Sequence, residues 1–173
     1  LVEEAIGLGV LEYPRYALAS QDPLCFSSGA YSTFYASRVF NKIYGNGVDT
    51  AGSGWTTGIA AIGNLQIDGS AVHCMAWVTY EINTTAPIKK FNVWIKDVGQ
   101  IYSNYRIVGT NDNINFSSLY TGSSSDWTVI DGTARSTGQR AFTNTTYYKY
   151  VGLIIVTSPN AATAYCQEVL LYA

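Results

Sequence analysis

The sequence predicts an all-β domain, built as an antiparallel sandwich or barrel. Three observations carry this. Short apolar or alternating segments recur along the chain, separated by clusters of Gly, Asn, Asp, Ser and Pro. No long amphipathic helical pattern interrupts them. The palette is that of strands, turns and wet surfaces, with 14 tyrosines among abundant Thr, Ser, Asn and Gly. At 173 residues the chain is long enough to bury a real core, and 47% hydrophobic against 13% charged residues excludes a disordered chain.

In chain order, residues 1–26 differ from the rest. Glu3–Ile6 and Val10–Glu12 suit a short helix that Gly7 and Gly9 weaken, and Pro14 and Pro23 punctuate the second half of the segment. This segment is expected to be a linker or the tail of a preceding domain, with the β domain over residues 27–173. Strands are predicted at Tyr31–Tyr35, Val72–Ile82, Lys90–Lys96, Tyr105–Thr110, Trp127–Ile130, Tyr147–Thr157 and Glu168–Tyr172. The clearest signal is central. Tyr105 and Ile107 alternate with Arg106 and Val108, and Thr110–Asn115 then supplies residues that tolerate left-handed backbone and hydrogen-bond their own main chain. Val151–Val156 is the longest clean apolar run and is strand length, far short of the roughly 20 residues of a membrane helix. No repeat of solenoid or propeller period occurs.

Several function classes are disfavoured. The net charge is −2 and the ten Lys and Arg are scattered, with Lys89-Lys90 the one doublet, so no basic patch offers itself to nucleic acid. Cys25, Cys74 and Cys166 are odd in number and lack the C-x-x-C spacing of zinc or redox sites; buried thiols are the plain reading, and one disulfide plus a free thiol the extracellular alternative. His73 stands alone beside a β run, which suits a structural residue. There is no G-x-S-x-G elbow, and Gly52-Ser53-Gly54 lacks the Lys of a phosphate loop. Asp126 and Asp131 flank a short strand without the features of a paired-carboxylate site. An enzyme is therefore not expected. Sequons stand at Asn83, Asn115 and Asn144 and matter in a eukaryotic secretory context. The chain begins at Leu1, as a fragment or processed product would, so its lack of a signal peptide is uninformative.

Six segments in order resemble discoidin-like domains, also called coagulation-factor type C or galactose-binding-like domains, over roughly residues 28–173. Ala36–Asn41, then Asp49-Thr50, then Trp55, is similar to "A-x-x-A-F-D-G…D-T-x-W". Cys74–Ile82 resembles "W-I-x-V-D-L-G", and Phe91–Ile95 comes next as a core strand. The Gly109–Phe116 turn resembles the "S-N-D-G-x-x-W" hairpin. Tyr147–Leu153 resembles "x-Y-R-Y-V-R-L", and Cys166–Tyr172 resembles "x-x-E-V-E-L-Y". The resemblance implies a jelly-roll β-sandwich that binds ligands, mostly sugars, among the loops at one end, as the family-32 carbohydrate-binding modules do.

It also implies a structural calcium ion, at Asn41, Asp49, Thr50 and Glu168, clamping a loop with hard oxygens. Asn41 departs from the family's Asp and removes a charge, and Lys42–Val48 is longer than the family's loop. For the sugar, an aromatic face with polar partners is needed. The loop aromatics are Trp55, Tyr102 and Tyr165, with Trp55 also matching a core position of the family. The polar candidates are Asn64, Arg135 and Arg140. Trp77, Trp94, Phe40 and Phe91 are expected in the core, and Arg106 as a solvated strand charge. The implied function is a non-catalytic glycan-binding module of a larger surface, fibre or virion protein, extracellular or on a virion surface. Its partners would be surface glycans or polysaccharides and neighbouring domains of the assembly. A structural or assembly module with a degenerate sugar site is the alternative.

Overall fold

The computed structural model describes residues 12–13, 24–28, 39–40, 55–57, 62–82, 86–95, 101–131, 134–159 and 164–173. Its described strands form two layers. One sheet runs β1 (Glu12–Tyr13), β15 (Glu168–Tyr172), β7 (Lys90–Ile95), β11 (Ala134–Ser136), β10 (Thr128–Asp131), with β12 (Arg140–Ala141) also paired to β7. The other runs β2 (Cys25–Ser27), β6 (Ala76–Glu81), β13 (Tyr150–Thr157), β8 (Asn104–Thr110), β9 (Asn115–Ser123), β4 (Gly63–Ile67), β5 (Ser70–Cys74). A two-stranded ribbon joins β3 (Trp55–Thr57) and β14 (Ala164–Cys166). Pairing is antiparallel except between β4 and β9. The fold class is the expected β-sandwich.

Alternation explains the strands that sequence located. In β7, Phe91, Val93 and Ile95 are buried while Lys90, Asn92 and Trp94 are only half-buried. Burying one face drives this register, because a one-residue slip would turn the whole set outward. The inward residues of β7 meet Val78, Tyr105, Ile107, Val151, Leu153, Ile155, Val169 and Leu171 in the main core. Phe40 and Phe91 lie in it as expected, whereas Trp94 and Trp77 are half-buried. Glu168–Tyr172 carries its predicted bounds.

Val72–Ile82 is not one strand. The chain breaks at Met75, whose N–H donates to the Ile155 carbonyl at 2.9 Å. On the N-terminal side of the break, β5 folds back on β4 through an Asp68-Gly69 turn with φ of 52° and 76°. Such a two-residue turn with both residues left-handed matches the twist of an antiparallel pair. The β4–β5 hairpin contributes to a second, smaller core of Ile67, Cys74, Val108, Phe116, Ile154 and Val156. The run Val151–Val156 is accordingly buried on both faces: Val151, Leu153 and Ile155 point into the main core, and Ile154 and Val156 into the smaller one.

One strand falls inside the segment expected to be a linker, and a second straddles its end. Glu12–Tyr13 pairs with Leu171 and Tyr172, and Cys25–Ser27 pairs with Val78–Tyr80. Tyr147–Lys149 does not extend β13. The expected strand Tyr31–Tyr35 lies outside the described residues.

Candidate functional site

The predicted Thr110–Asn115 turn is built as its residues dictate. Asp112 accepts from the main-chain N–H of Ile114 and Asn115 and from the Asn115 side chain, at 2.8–2.9 Å. Those bonds hold its carboxyl well below the usual carboxylate range. Asn113 takes φ 58° and accepts from the Thr79 hydroxyl, and Asn111 accepts from the Lys149 N–H. The turn is thus tied to β6 and to the start of β13.

The opposite end of the sandwich brings together several residues singled out from sequence. There β8 and β13 meet through Asn104 and Thr157, and the hydroxyls of Ser103 and Thr157 are 2.7 Å apart. The β3–β14 ribbon sets Trp55 opposite Cys166 and Thr56 opposite Tyr165. The Tyr102 hydroxyl donates to the Tyr165 carbonyl, and Glu168 opens β15 beside Trp94 of β7. Trp55, Tyr102, Tyr165 and Glu168 therefore share one end.

Two of these aromatics cannot serve as sugar platforms in this arrangement. Tyr102 is 0% exposed and packs edge-on against Trp127 with ring centres 5.2 Å apart; Tyr165 is 6% exposed. A buried phenol must find an acceptor. Tyr102 finds one on β14, and that bond pulls the ring out of solvent. Both residues are corrected from loop aromatics to packing residues, and Trp55 lies on strand β3 rather than in a loop.

The polar candidates scatter. Asn64 is exposed on β4, opposite His73 of β5, also exposed. Arg135 is half-buried on β11, and its guanidinium donates to the Ala134 carbonyl at 3.0 Å. Arg140 is a structural staple: Nε donates to the Thr137 carbonyl, and Nη2 donates to the Asp126 carbonyl and stands 3.7 Å from the Asp126 carboxylate. Arg106 is likewise paired, 3.2 Å from Asp68, with a further bond to the Ser118 hydroxyl. Asp126, read from sequence only as a flanking acid, accepts from the hydroxyls of Tyr105 and Tyr120 and from the Ser123 N–H. With its oxygens so engaged, it anchors the main core. Burial first and then the Asp126 charge push the Tyr105 phenol far above its ordinary range. A Tyr-rich sequence carries no signal for which two tyrosines will share one acid.

Of the four expected calcium ligands, Asn41, Asp49 and Thr50 lie outside the described residues. Glu168 is described and is 0% exposed. A carboxylate so deeply placed needs compensation by charge or hydrogen bonds. Beside it in sequence, Gln167 is also buried, and its side-chain carbonyl oxygen accepts no hydrogen bond. The Glu168 carboxylate and the Gln167 carbonyl oxygen are of the hard type calcium takes, so these two residues suit such an ion. Among the described residues no three His, Cys, Asp or Glu side chains converge. Burial, and then the nearby Glu168 charge, push the Cys166 thiol well above its ordinary range. The three cysteines carry free thiols.

No protein-family model matches the sequence, and no curated protein matches it. Solved structures do share its architecture. The second chitosan-binding module of a chitosanase/glucanase from Paenibacillus sp. IK-5, in complex with chitotriose, is 17% identical with a TM-score of 0.56, over 86% of this chain and 95% of that one. The CBM32-3 module of a family 31 glycoside hydrolase from Clostridium perfringens is 14% identical with a TM-score of 0.54, over 91% and 95%. The family 32 module of C. perfringens NanJ, in complex with galactose, is 11% identical with a TM-score of 0.55, over 86% and 92%. At such identities the likeness concerns fold alone: the chain is similar in its β-sandwich fold to these family 32 carbohydrate-binding modules.

Proposed function

We propose that this domain is a non-catalytic carbohydrate-binding module that recognises surface glycans or polysaccharides through loops at the Trp55–Glu168 end. The supporting observation is the sharing of its fold with modules solved in complex with chitotriose and with galactose. Fold alone does not fix function, so the reading rests also on Trp55, which strand β3 carries at that end. The parent would be a larger extracellular, fibre or virion surface protein. Shallow sugar sites gain little over the cost of association, so binding at one site is weak and repetition in an assembly supplies avidity.

In this reading Glu168, with Asn41, Asp49 and Thr50, holds a calcium ion that fixes the neighbouring loop rather than touching the sugar. The burial of Glu168 and the unpartnered Gln167 oxygen support it. The burial of Tyr102 and Tyr165 favours the second reading, a structural or assembly module that has lost its sugar site.

A glycan array probed with the oligomerised domain, with calcium and with chelator, separates the two. Selective retention is expected, and chelator is expected to reduce it and to lower thermal stability. Silence from a folded, multivalent sample would overturn the carbohydrate reading and direct the search to a protein partner.

A further inference from the structure

We infer that the β4–β5 hairpin is a strap that lifts independently of the sandwich, is latched by Asp68, and uncovers Cys74 when it opens. The first support is where its apolar side chains lie. Ile67 and Cys74, with Leu65 and Val72 packed alongside, belong to the smaller cluster on the outer face of β8 and β13, separate from the main core. Among the described residues, six buried ones make that cluster against twenty in the main core. Opening therefore uncovers a minor share of the apolar surface, which is the condition for a cooperative unit to open below the global transition.

The second support is how thinly the hairpin is fastened. Its ladder to β9 is parallel and joins only Gln66 to Asn115 and Ile67 to Phe116, with one further main-chain bond from the Asp68 N–H to the Phe116 carbonyl. At its other end β5 leads through Met75 directly into β6, which stays anchored on β13 by its ladder. Met75 is thus the hinge and the Asp68-Gly69 tip is the free end.

The third support is the chemistry of the tip. The turn needs left-handed backbone at both residues, which Asn-Gly or Gly-Gly supplies without a charge. Here the first residue is Asp68, at φ 52°. Its carboxylate reaches across to the sheet, where Oδ1 accepts from the Ser118 N–H at 2.8 Å and Oδ2 meets Arg106 Nη1 at 3.2 Å. Arg106 also donates to the Ser118 hydroxyl, so one residue of β8 and one of β9 share the latch. The acid closes the strap onto the sheet beneath it.

The cysteines report the motion. Cys74, the last residue of the strap, is buried in the smaller cluster and Cys166 in the main core, both 0% exposed, while half-buried Cys25 serves as a fast reference. Alkylation of the whole chain by N-ethylmaleimide, followed at each cysteine by mass spectrometry over urea concentrations below the global transition, tests the inference. Cys74 is expected to react more than roughly tenfold faster than Cys166 and with a shallower urea dependence. Asp68→Gly preserves the turn backbone but removes the latch, and is expected to speed Cys74 about fivefold to tenfold while leaving Cys166 unchanged. Amide exchange gives an independent readout, with Asp68 and Ser118, whose N–H groups bond across the edge of the strap, exchanging ahead of Ile107 and Leu153. A single shared rate and urea dependence for Cys74 and Cys166, or equal acceleration of both by Asp68→Gly, would overturn the strap.

Discussion

Replacing Gly122 by alanine is expected to destabilise the domain by about 3.5 kcal/mol. Gly122 lies on β9 directly opposite Tyr105 of β8. A Cβ there would stand within 2.5 Å of Cζ, Cε1 and the hydroxyl oxygen of Tyr105. The ring has no room to yield: it is fully buried, with the rings of Tyr102 and Trp127 at 6.1 and 5.6 Å between centres. Overpacking of this kind costs about 1–3 kcal/mol. If the ring rotates to escape, its 2.9 Å bond to the Asp126 carboxylate breaks, and a bond to a charged group is worth about 1.5–3 kcal/mol. Against these, replacing glycine restricts the unfolded chain and returns about 0.4–1 kcal/mol. Midpoints leave a net loss of about 3.5 kcal/mol, a fall in Tm of about 7–14 °C for a domain of this size. Urea unfolding of the wild type, Gly122→Ala, Tyr105→Phe and the double variant measures it. Tyr105→Phe alone is expected to cost about 2 kcal/mol, and the double variant less than the sum, since the hydrogen bond is lost only once. A loss below about 0.5 kcal/mol for Gly122→Ala, or strict additivity, would show that the two residues do not compete for one space.

Three further outcomes are expected. Native Tyr102 and Tyr105 resist ionisation because burial raises both phenols, whereas unfolded tyrosine titrates near pH 10. A raised folded-state value means that the native state keeps its protons when the unfolded chain has lost them. Stability is then fully present below pH 10 and falls above it by about 1.4 kcal/mol per pH unit for each tyrosine. The Cys74 thiol, pushed up to about 11 by burial, adds to the loss once free cysteine ionises near pH 9. Alkaline urea titrations check this, and Tyr105→Phe should flatten the slope. Asn144→Ala removes side-chain bonds to the Ile88 and Thr146 carbonyls and from the Thr146 N–H, at a position 8% exposed. It should cost about 2–3 kcal/mol in urea unfolding, and a neutral result would demote this asparagine to a surface residue. Under the carbohydrate reading, Trp55→Ala should lower glycan retention roughly tenfold or more while leaving Tm near its original value. Lost stability with unchanged retention would place Trp55 among the packing residues.

Legibility tracked the range of the interactions. Lys90–Ile95 and the first half of Asn104–Thr110 stood out because an apolar face repeating every second residue marks a strand by itself, and Glu168–Tyr172 because it is a short apolar run of strand length. The Thr110–Asn115 turn was equally plain, since its bonds close within a few residues. Asn115–Ser123 was not, because a stretch rich in Ser, Thr and Gly is a strand only when β8 lies beside it and Tyr105 fills the space above Gly122. The break at Met75 was equally hidden, being set by the need to cover Ile154 and Val156 on the far face of β13. The candidate site fared less well. Sequence placed Tyr102, Tyr165 and Glu168 near chain features that become one end of the sandwich. It held no information on exposure, because whether a tyrosine lines a loop or plugs a core depends on which distant carbonyl its hydroxyl meets. Local pattern thus determined the β class, the core strands and the central turn. The tertiary structure alone decided that Tyr102 is buried, that Arg140 staples Asp126, and that Glu168 is buried, since each outcome depends on partners 14 or more residues away or on the other strands of the sheet.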